Sequence, residues 1–228
     1  MTWLTRDGVV AALGVGLMVT WGLSWRGLGV LAAFFVSGSL LTRFAEGRGA
    51  RRNARQVIAN GGTAAVAALF GSWTAAVGAL AAATADTWAT EIGAFSPVSP
   101  RLISTGRRVT RGTSGAITVL GTLGGVMGAA LIAGLAQVLH PRASALGFAR
   151  AAGAGVTGMV VDSVLGATAQ GQYACPACHA RFEHRGVVCH APVRLVGGAR
   201  WLDNDAVNLA ATVCGAAAAV LATRLAGP

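Results

Sequence analysis

The stretch Thr84-Ala-Asp-Thr-Trp-Ala-Thr-Glu-Ile-Gly93 sets Asp86 and Glu91 among apolar neighbours. A carboxylate at the centre of a bilayer costs roughly 2.5–3.5 kcal/mol, so one retained there calls for a partner or a metal ion. At 100° per residue the two acids point about 140° apart on a straight helix. They converge on one point only if the helix ends or unwinds near Gly93. Asp162-Ser163, followed by Gly166-Ala-Thr-Ala-Gln170, repeats the theme of an acid in an apolar run. Trp201-Leu-Asp-Asn-Asp-Ala-Val-Asn-Leu209 adds Asp203, Asn204, Asp205 and Asn208. One N-cap and a favourable charge at the helix dipole would use one or two of these. The rest are candidates for ligand binding.

Arginine supplies the opposite charge. Gly106-Arg-Arg-Val-Thr-Arg-Gly-Thr-Ser-Gly115 combines Arg107, Arg108 and Arg111 with Thr113 and Ser114, and is expected to run into a helix. Glycines, hydroxyls and guanidinium groups ahead of a helix N-terminus suit phosphate oxygens. A juxtamembrane loop would also carry such arginines. Arg51-Arg-Asn-Ala-Arg-Gln-Val-Ile-Ala-Asn-Gly61 is a second basic loop, with Asn53 and Asn60 at its edges, and lipid head groups would explain its charge equally well. All 18 basic residues are arginine. The absence of lysine excludes a Walker-type phosphate loop and Schiff-base chemistry. Carboxylates with arginines suit hard Mg²⁺ held by one or two acids plus substrate phosphates. That combination suggests phosphoryl transfer on a membrane-embedded phosphate ester.

A separate cluster is thiophilic. Cys175-Pro-Ala-Cys178, Cys189 and His190 provide a knuckle, a third thiol and an imidazole, which suits tetrahedral structural Zn²⁺. His184 is the other candidate for the fourth ligand. Cys175 to His179 also spells a haem-attachment pattern, but that chemistry belongs to the outer side of a membrane. A disulfide is disfavoured in a reducing cytoplasm. Cys214 reads as a small buried apolar residue.

These residues need elements to hold them. The chain is 54% apolar and 11% charged, with a mean hydropathy of +0.61; soluble domains carry about 25% charged residues. Only helices and closed barrels satisfy backbone polar groups in lipid, and alternating strands of barrel type are absent. The fold class expected is therefore an all-α polytopic helical bundle of six to seven spans in a single domain, residues 1–228. Spans are placed at Gly8–Trp25, Gly27–Thr42, Val57–Gly71, Trp73–Phe95, Thr113–Leu139, Ala145–Gly166 and Asp205–Ala226. A cytoplasmic loop, 167–204, carries the zinc knuckle between the last two. With the N-terminus inside, fourteen arginines fall on the inner side, leaving Arg26, Arg142, Arg150 and Arg224 outside. That is a positive-inside pattern. All eight acids, Asp7, Glu46 and Glu183 among them, sort to the same inner face. The arginines thus reflect topology rather than nucleic acid, and the protein is expected in a prokaryotic inner membrane with its site facing the cytoplasm. Gly121 with Gly125, and Gly124 with Gly128, form small-xxx-small patterns for close helix packing.

The motifs Arg52-Asn53…Gln56-Val57…Ala59-Asn60-Gly61, Ala85-Asp-Thr-Trp-Ala-Thr-Glu-Ile-Gly93, Arg111-Gly-Thr-Ser-Gly115, Asp162-Ser-Val-Leu-Gly-Ala-Thr168 and Leu202-Asp-Asn-Asp-Ala-Val-Asn-Leu209 resemble, in order, those of the transmembrane-protein-19 family. This is a domain-of-unknown-function family that includes phytyl-phosphate kinases of plants and cyanobacteria. The resemblance implies a kinase that extends an isoprenyl monophosphate to the diphosphate with a nucleoside triphosphate, CTP or similar. Under it, Asp86, Asp162 and Asp205 would hold Mg²⁺, supported by Glu91 and Asp203. Arg107, Arg108 and Arg111 would grip nucleotide phosphates, and Asn60, Asn204 and Asn208 would fix ligand oxygens. A phosphate-monoester acceptor is already anionic, so alignment and charge neutralisation would do most of the work. The rival readings are a transporter, whose polar residues should extend through the full membrane depth, and a non-catalytic scaffold docking a partner through the zinc loop.

Overall fold

The computed structural model describes residues 3–46, 51–140, 144–178, 180–183, 187 and 189–225. Arg48, Arg142, His179, His184, Arg185 and the side chain of Glu46 lie outside the described residues. Among the described residues six helices carry the fold: α1 (Arg6–Glu46), α2 (Ala54–Leu69), α3 (Trp73–Gly93), α4 (Val119–Leu139), α5 (Ala145–Thr168) and α6 (Asn204–Leu225). Strands are short. β1 (Arg101–Leu102) and β2 (Ala116–Ile117) pair before α4, and β3 (Gln172–Ala174), β4 (Arg181–Phe182) and β5 (Arg194–Gly197) form an antiparallel sheet, order β4-β3-β5, between α5 and α6.

α1 is two helical limbs. Ser24 sits at φ 59°, ψ −165°, outside any helical region, and breaks the hydrogen-bond ladder there. Gly8 and Gly38 both lie against Arg52. In a straight helix they would be about 45 Å apart, so the chain doubles back at Ser24. The two limbs, 6–23 and 25–46, match the first two expected spans and make seven helical segments. The first limb is tied at its start: Trp3 and Thr5 exchange backbone hydrogen bonds with Arg52, and Asp7 Oδ2 accepts from the Ala54 N–H.

The exteriors of α1, α2, α4, α5 and α6 are rich in exposed apolar side chains. Val10, Leu13, Leu17 and Trp21 are exposed on α1, and Leu123, Met127 and Val138 on α4. In water such a surface would aggregate; in lipid it is at home. α1, α4, α5 and α6 are each long and apolar enough to cross a membrane. α3 is the central helix and touches the other five. Its alanine-rich run Ala79–Ala83 is buried almost completely. α4 crosses it through the expected glycine row. A Cβ added at Gly121 would meet Ala89 O at 2.6 Å, and one at Gly125 would meet Met159 Sδ at 2.2 Å and Ala85 O at 2.8 Å. The backbones are in contact, so only glycine fits there.

One expected span needs correction. α4 starts at Val119, capped by the Thr118 hydroxyl on Gly121 N–H, and not at Thr113. Gly112 and Gly115 both adopt positive φ, which breaks helical geometry. Thr113 and Ser114 therefore sit in a turn rather than in a helix.

Candidate functional site

The ends of the helices explain the clustering of polar groups. The C-terminal ends of α3 and α5 and the N-terminal ends of α2, α4 and α6 meet at one end of the bundle. Between them lies a cavity of about 650 Å³. Asp86 and Asp162 face each other across it from α3 and α5, within hydrogen-bonding reach. Both lie deep among protein atoms but keep some surface toward the cavity. Among the described residues, Asp162 Oδ2 is buried without a hydrogen-bond partner, as is Nε2 of Gln170 nearby in the lining.

Glu91 also lines the cavity, but on another wall. α3 stays helical to Gly93, so the two acids of this helix keep their angular separation and the cavity wraps around them. Glu91 Oε1 accepts from the Thr42 hydroxyl at 2.6 Å, and Arg52 interacts with its charge. Burial lowers the Arg52 pKa and Glu91 acts against that. The Arg52 guanidinium also lies over the Phe34 ring, 5.7 Å from its centroid.

Among the other expected residues, Asn60, Arg111, Thr113, Ser114, Asn204 and Asn208 all line the cavity. Arg111 turns its guanidinium onto the carbonyls of Ala94 and Ser96, which fastens the 107–115 loop to the end of α3. Gly115 presses this loop onto α5. A Cβ there would lie 2.4 Å from Ser163 O and 2.3 Å from Ala167 N, and its φ is +71°.

Five expected site residues are placed elsewhere. Asp203 and Asp205 do not join Asp86 and Asp162; the first turn of α6 faces the first turn of α2, and both pair with Arg55, at 2.7 and 3.4 Å. Asp203 Oδ1 also accepts from the Ala206 N–H, as an N-cap residue does. Burial raises the Asp203 pKa, yet Arg55 and that N–H outweigh it and hold the carboxyl below its ordinary value. Asn53 caps α2 in a reciprocal box with Gln56. Arg107 and Arg108 are exposed and lie outside this cavity.

The cavity also recruits residues that sequence reasoning did not assign to the site. Arg52 and Gln56 lie in a quoted motif, and Ser163 adjoins Asp162, so adjacency could have flagged them. Gln170 closes the stretch that follows Asp162 and Glu183 sorts to the inner face with the other acids, but neither had a signal tying it to this cavity, and Thr42 had none beyond polarity. Ser114 donates its hydroxyl to Glu183 Oε1.

The second cluster lies in the insert. One ligand atom from each of Cys175, Cys178, Cys189 and His190 falls within 4.8 Å of the others. The Cys178 and Cys189 sulfurs are 3.6 Å apart, and Cys189 Sγ is 3.2 Å from His190 Nδ1. Tetrahedral zinc at 2.3 Å from sulfur separates ligands by about 3.8 Å, so this Cys₃His set can hold zinc. Burial works to raise the Cys175 pKa, but the backbone N–H groups of Cys178 and Ala177 bring the thiol down to about 6.

A model of the family described as Integral membrane protein DUF92 matches residues 1–216. The chain belongs to this family. An uncharacterised membrane protein of Methanocaldococcus jannaschii is 32% identical over 96% of this chain and 85% of its own length. Protein PGR of Arabidopsis thaliana is 30% identical over 88% of this chain and 82% of its own length. Protein VTE6, chloroplastic, of the same plant is 26% identical over 97% of this chain and 66% of its own length. No solved structure matches the chain significantly. The DUF92 match spans all seven helical segments except the last residues of α6.

Proposed function

We propose that this protein is a membrane-embedded prenyl-phosphate kinase, moving a phosphoryl group from a nucleoside triphosphate, CTP or similar, to an isoprenyl monophosphate. One observation carries the reading. Asp86 and Asp162 oppose each other in a cavity where Asp162 Oδ2 and Gln170 Nε2 are buried without partners among the described residues. An acceptor and a donor of this kind suit a cation and a phosphate oxygen.

Asp86 and Asp162 would hold Mg²⁺, with substrate phosphates completing its oxygen shell. Bound there, Mg²⁺ would neutralise charge on the transferring phosphoryl group. Arg52 is the best-placed guanidinium for a phosphate, being half-buried, close to Glu91, and part of the cavity lining. Arg111 orders the loop that presents Thr113 and Ser114. Asn60, Asn204 and Asn208 would fix ligand oxygens from the α2–α6 side. The prenyl chain would leave past Met159, Val160 and Ile117, since Val160 and Ile117 line the cavity and also face outward among lipid-exposed residues. Zn²⁺ would occupy the Cys₃His set as a structural ion. The arginine asymmetry supports a cytoplasmic site in a prokaryotic plasma membrane. Family membership supports the activity, because the family includes phytyl-phosphate kinases.

The test is phosphorylation of prenyl monophosphates by purified protein with Mg²⁺ and a panel of nucleotides. Asp86→Asn should reduce the rate by at least 100-fold. An unchanged rate would remove Asp86 from the mechanism, and solute flux into proteoliposomes without nucleotide consumption would favour a transporter.

A further inference from the structure

The insert between α5 and α6 does more than connect them. Its ends are fastened to each other: Gly171 N–H donates to Leu202 O at 2.9 Å and Ala199 N–H to Ala169 O at 2.8 Å. Between these points, among the described residues, stand three strands of two to four residues. Strands so short bury too little apolar surface to hold a register by themselves. The register nevertheless matters. Tyr173 pairs with Phe182, which puts Glu183, the next residue, at the cavity. There it takes the Ser114 hydroxyl bond and lies close enough to Asp162 for their charges to interact.

We infer that Zn²⁺ bound by Cys175, Cys178, Cys189 and His190 braces this insert, and that the brace delivers Glu183 to the cavity as a third carboxylate beside Asp86 and Asp162. The metal would stand at a junction. Cys175 follows β3 and Cys178 lies in the turn toward β4, while Cys189 and His190 lie on the path into β5. One ion would therefore join the β3–β4 hairpin to the third strand, adding a cross-link to strands too short to hold their register alone. Soft thiolates select zinc for this position, whereas the carboxylates select a hard cation, so the two metals do not compete. The Glu183 role rests on the divalent-cation reading of the cavity; the zinc brace does not.

The experiment uses full-length protein purified in detergent, with three readouts. Metal analysis should find one zinc per chain, lost in Cys178→Ser and kept in Glu183→Gln. Hydrogen exchange should be at least tenfold faster in Cys178→Ser over both 172–197 and 110–118. In Glu183→Gln it should be faster over 110–118 alone. Mn²⁺ binding, followed by electron paramagnetic resonance, should weaken about tenfold in both variants. Wild-type protein without zinc, or zinc loss that leaves 110–118 protected, overturns the brace. Intact Mn²⁺ affinity in Glu183→Gln overturns the role of Glu183. A wild type that holds zinc with the expected protection yet binds no Mn²⁺ overturns the cation reading and leaves the brace standing. Absence of prenyl-phosphate phosphorylation bears on the kinase reading alone.

Discussion

Replacing Asp162 by asparagine separates two consequences of the carboxylate pair. Asp86 and Asp162 approach within hydrogen-bonding reach in a site largely surrounded by protein. With no cation bound, such a pair must repel or share a proton. Two unit charges 4 Å apart interact by about 4 kcal/mol at an effective dielectric near 20. Cavity water and proton sharing remove most of that, leaving a metal-free gain in stability of about 1 kcal/mol for Asp162→Asn. For a chain of this length the gain corresponds to a melting midpoint raised by about 2–4 °C. The same change removes one anionic ligand, which should cost Mg²⁺ about 3 kcal/mol, or roughly 100-fold in affinity. Thermal unfolding of detergent-purified protein across an Mg²⁺ titration reads both effects. Wild type should start lower and climb with Mg²⁺, because a ligand specific to the folded state stabilises it. Asp162→Asn should start higher and stay flat. A lower starting midpoint with an intact Mg²⁺ response would refute the reasoning, since the pair would then be a structural hydrogen bond.

Three further outcomes follow from the packing and the ion pairs. Gly115→Ala should lower stability by about 2–4 kcal/mol in thermal unfolding, because a Cβ there meets backbone atoms of α5 and the positive φ disfavours any side chain. Arg52→Ala should weaken nucleotide binding by at least tenfold in isothermal titration, while Arg107→Ala and Arg108→Ala should change it less than threefold, because only Arg52 of these lines the cavity. Asp203 has its folded-state pKa depressed, so its pairing with Arg55 adds stability that is fully present above the unfolded value of about 3.9 and is lost as pH falls through the lower folded value. The midpoint difference between wild type and Arg55→Ala, measured from pH 6 downward, should shrink below pH 4; a constant difference would show that the ion pair is not its source.

Much of this architecture is legible without coordinates. The shortage of charge forces the chain into lipid, and lipid forces it into helices, because unpaired backbone groups have no water there. The rise of 1.5 Å per residue then sets span length, and arginine placement orients the spans. Once the order of spans is known, Asp86, Glu91, Asp162 and Asn208 must all lie toward one end of the bundle. The glycine row of α4 is likewise visible as spacing, since close backbone approach requires it.

Which of those residues meet is a different matter, and only the tertiary structure decides it. In a soluble helix the apolar stripe marks the buried face. Here lipid-facing and core-facing sides are both apolar, so the sequence carries almost no signal for how each helix is rotated about its axis. Rotation is what turns Asp86 toward Asp162 and Glu91 toward Thr42 and Arg52, and it sends Asp203 and Asp205 to Arg55 instead. The reversal at Ser24 and the arrival of Glu183 from a distant insert depend on contacts between segments far apart in the chain, and local composition holds no record of them.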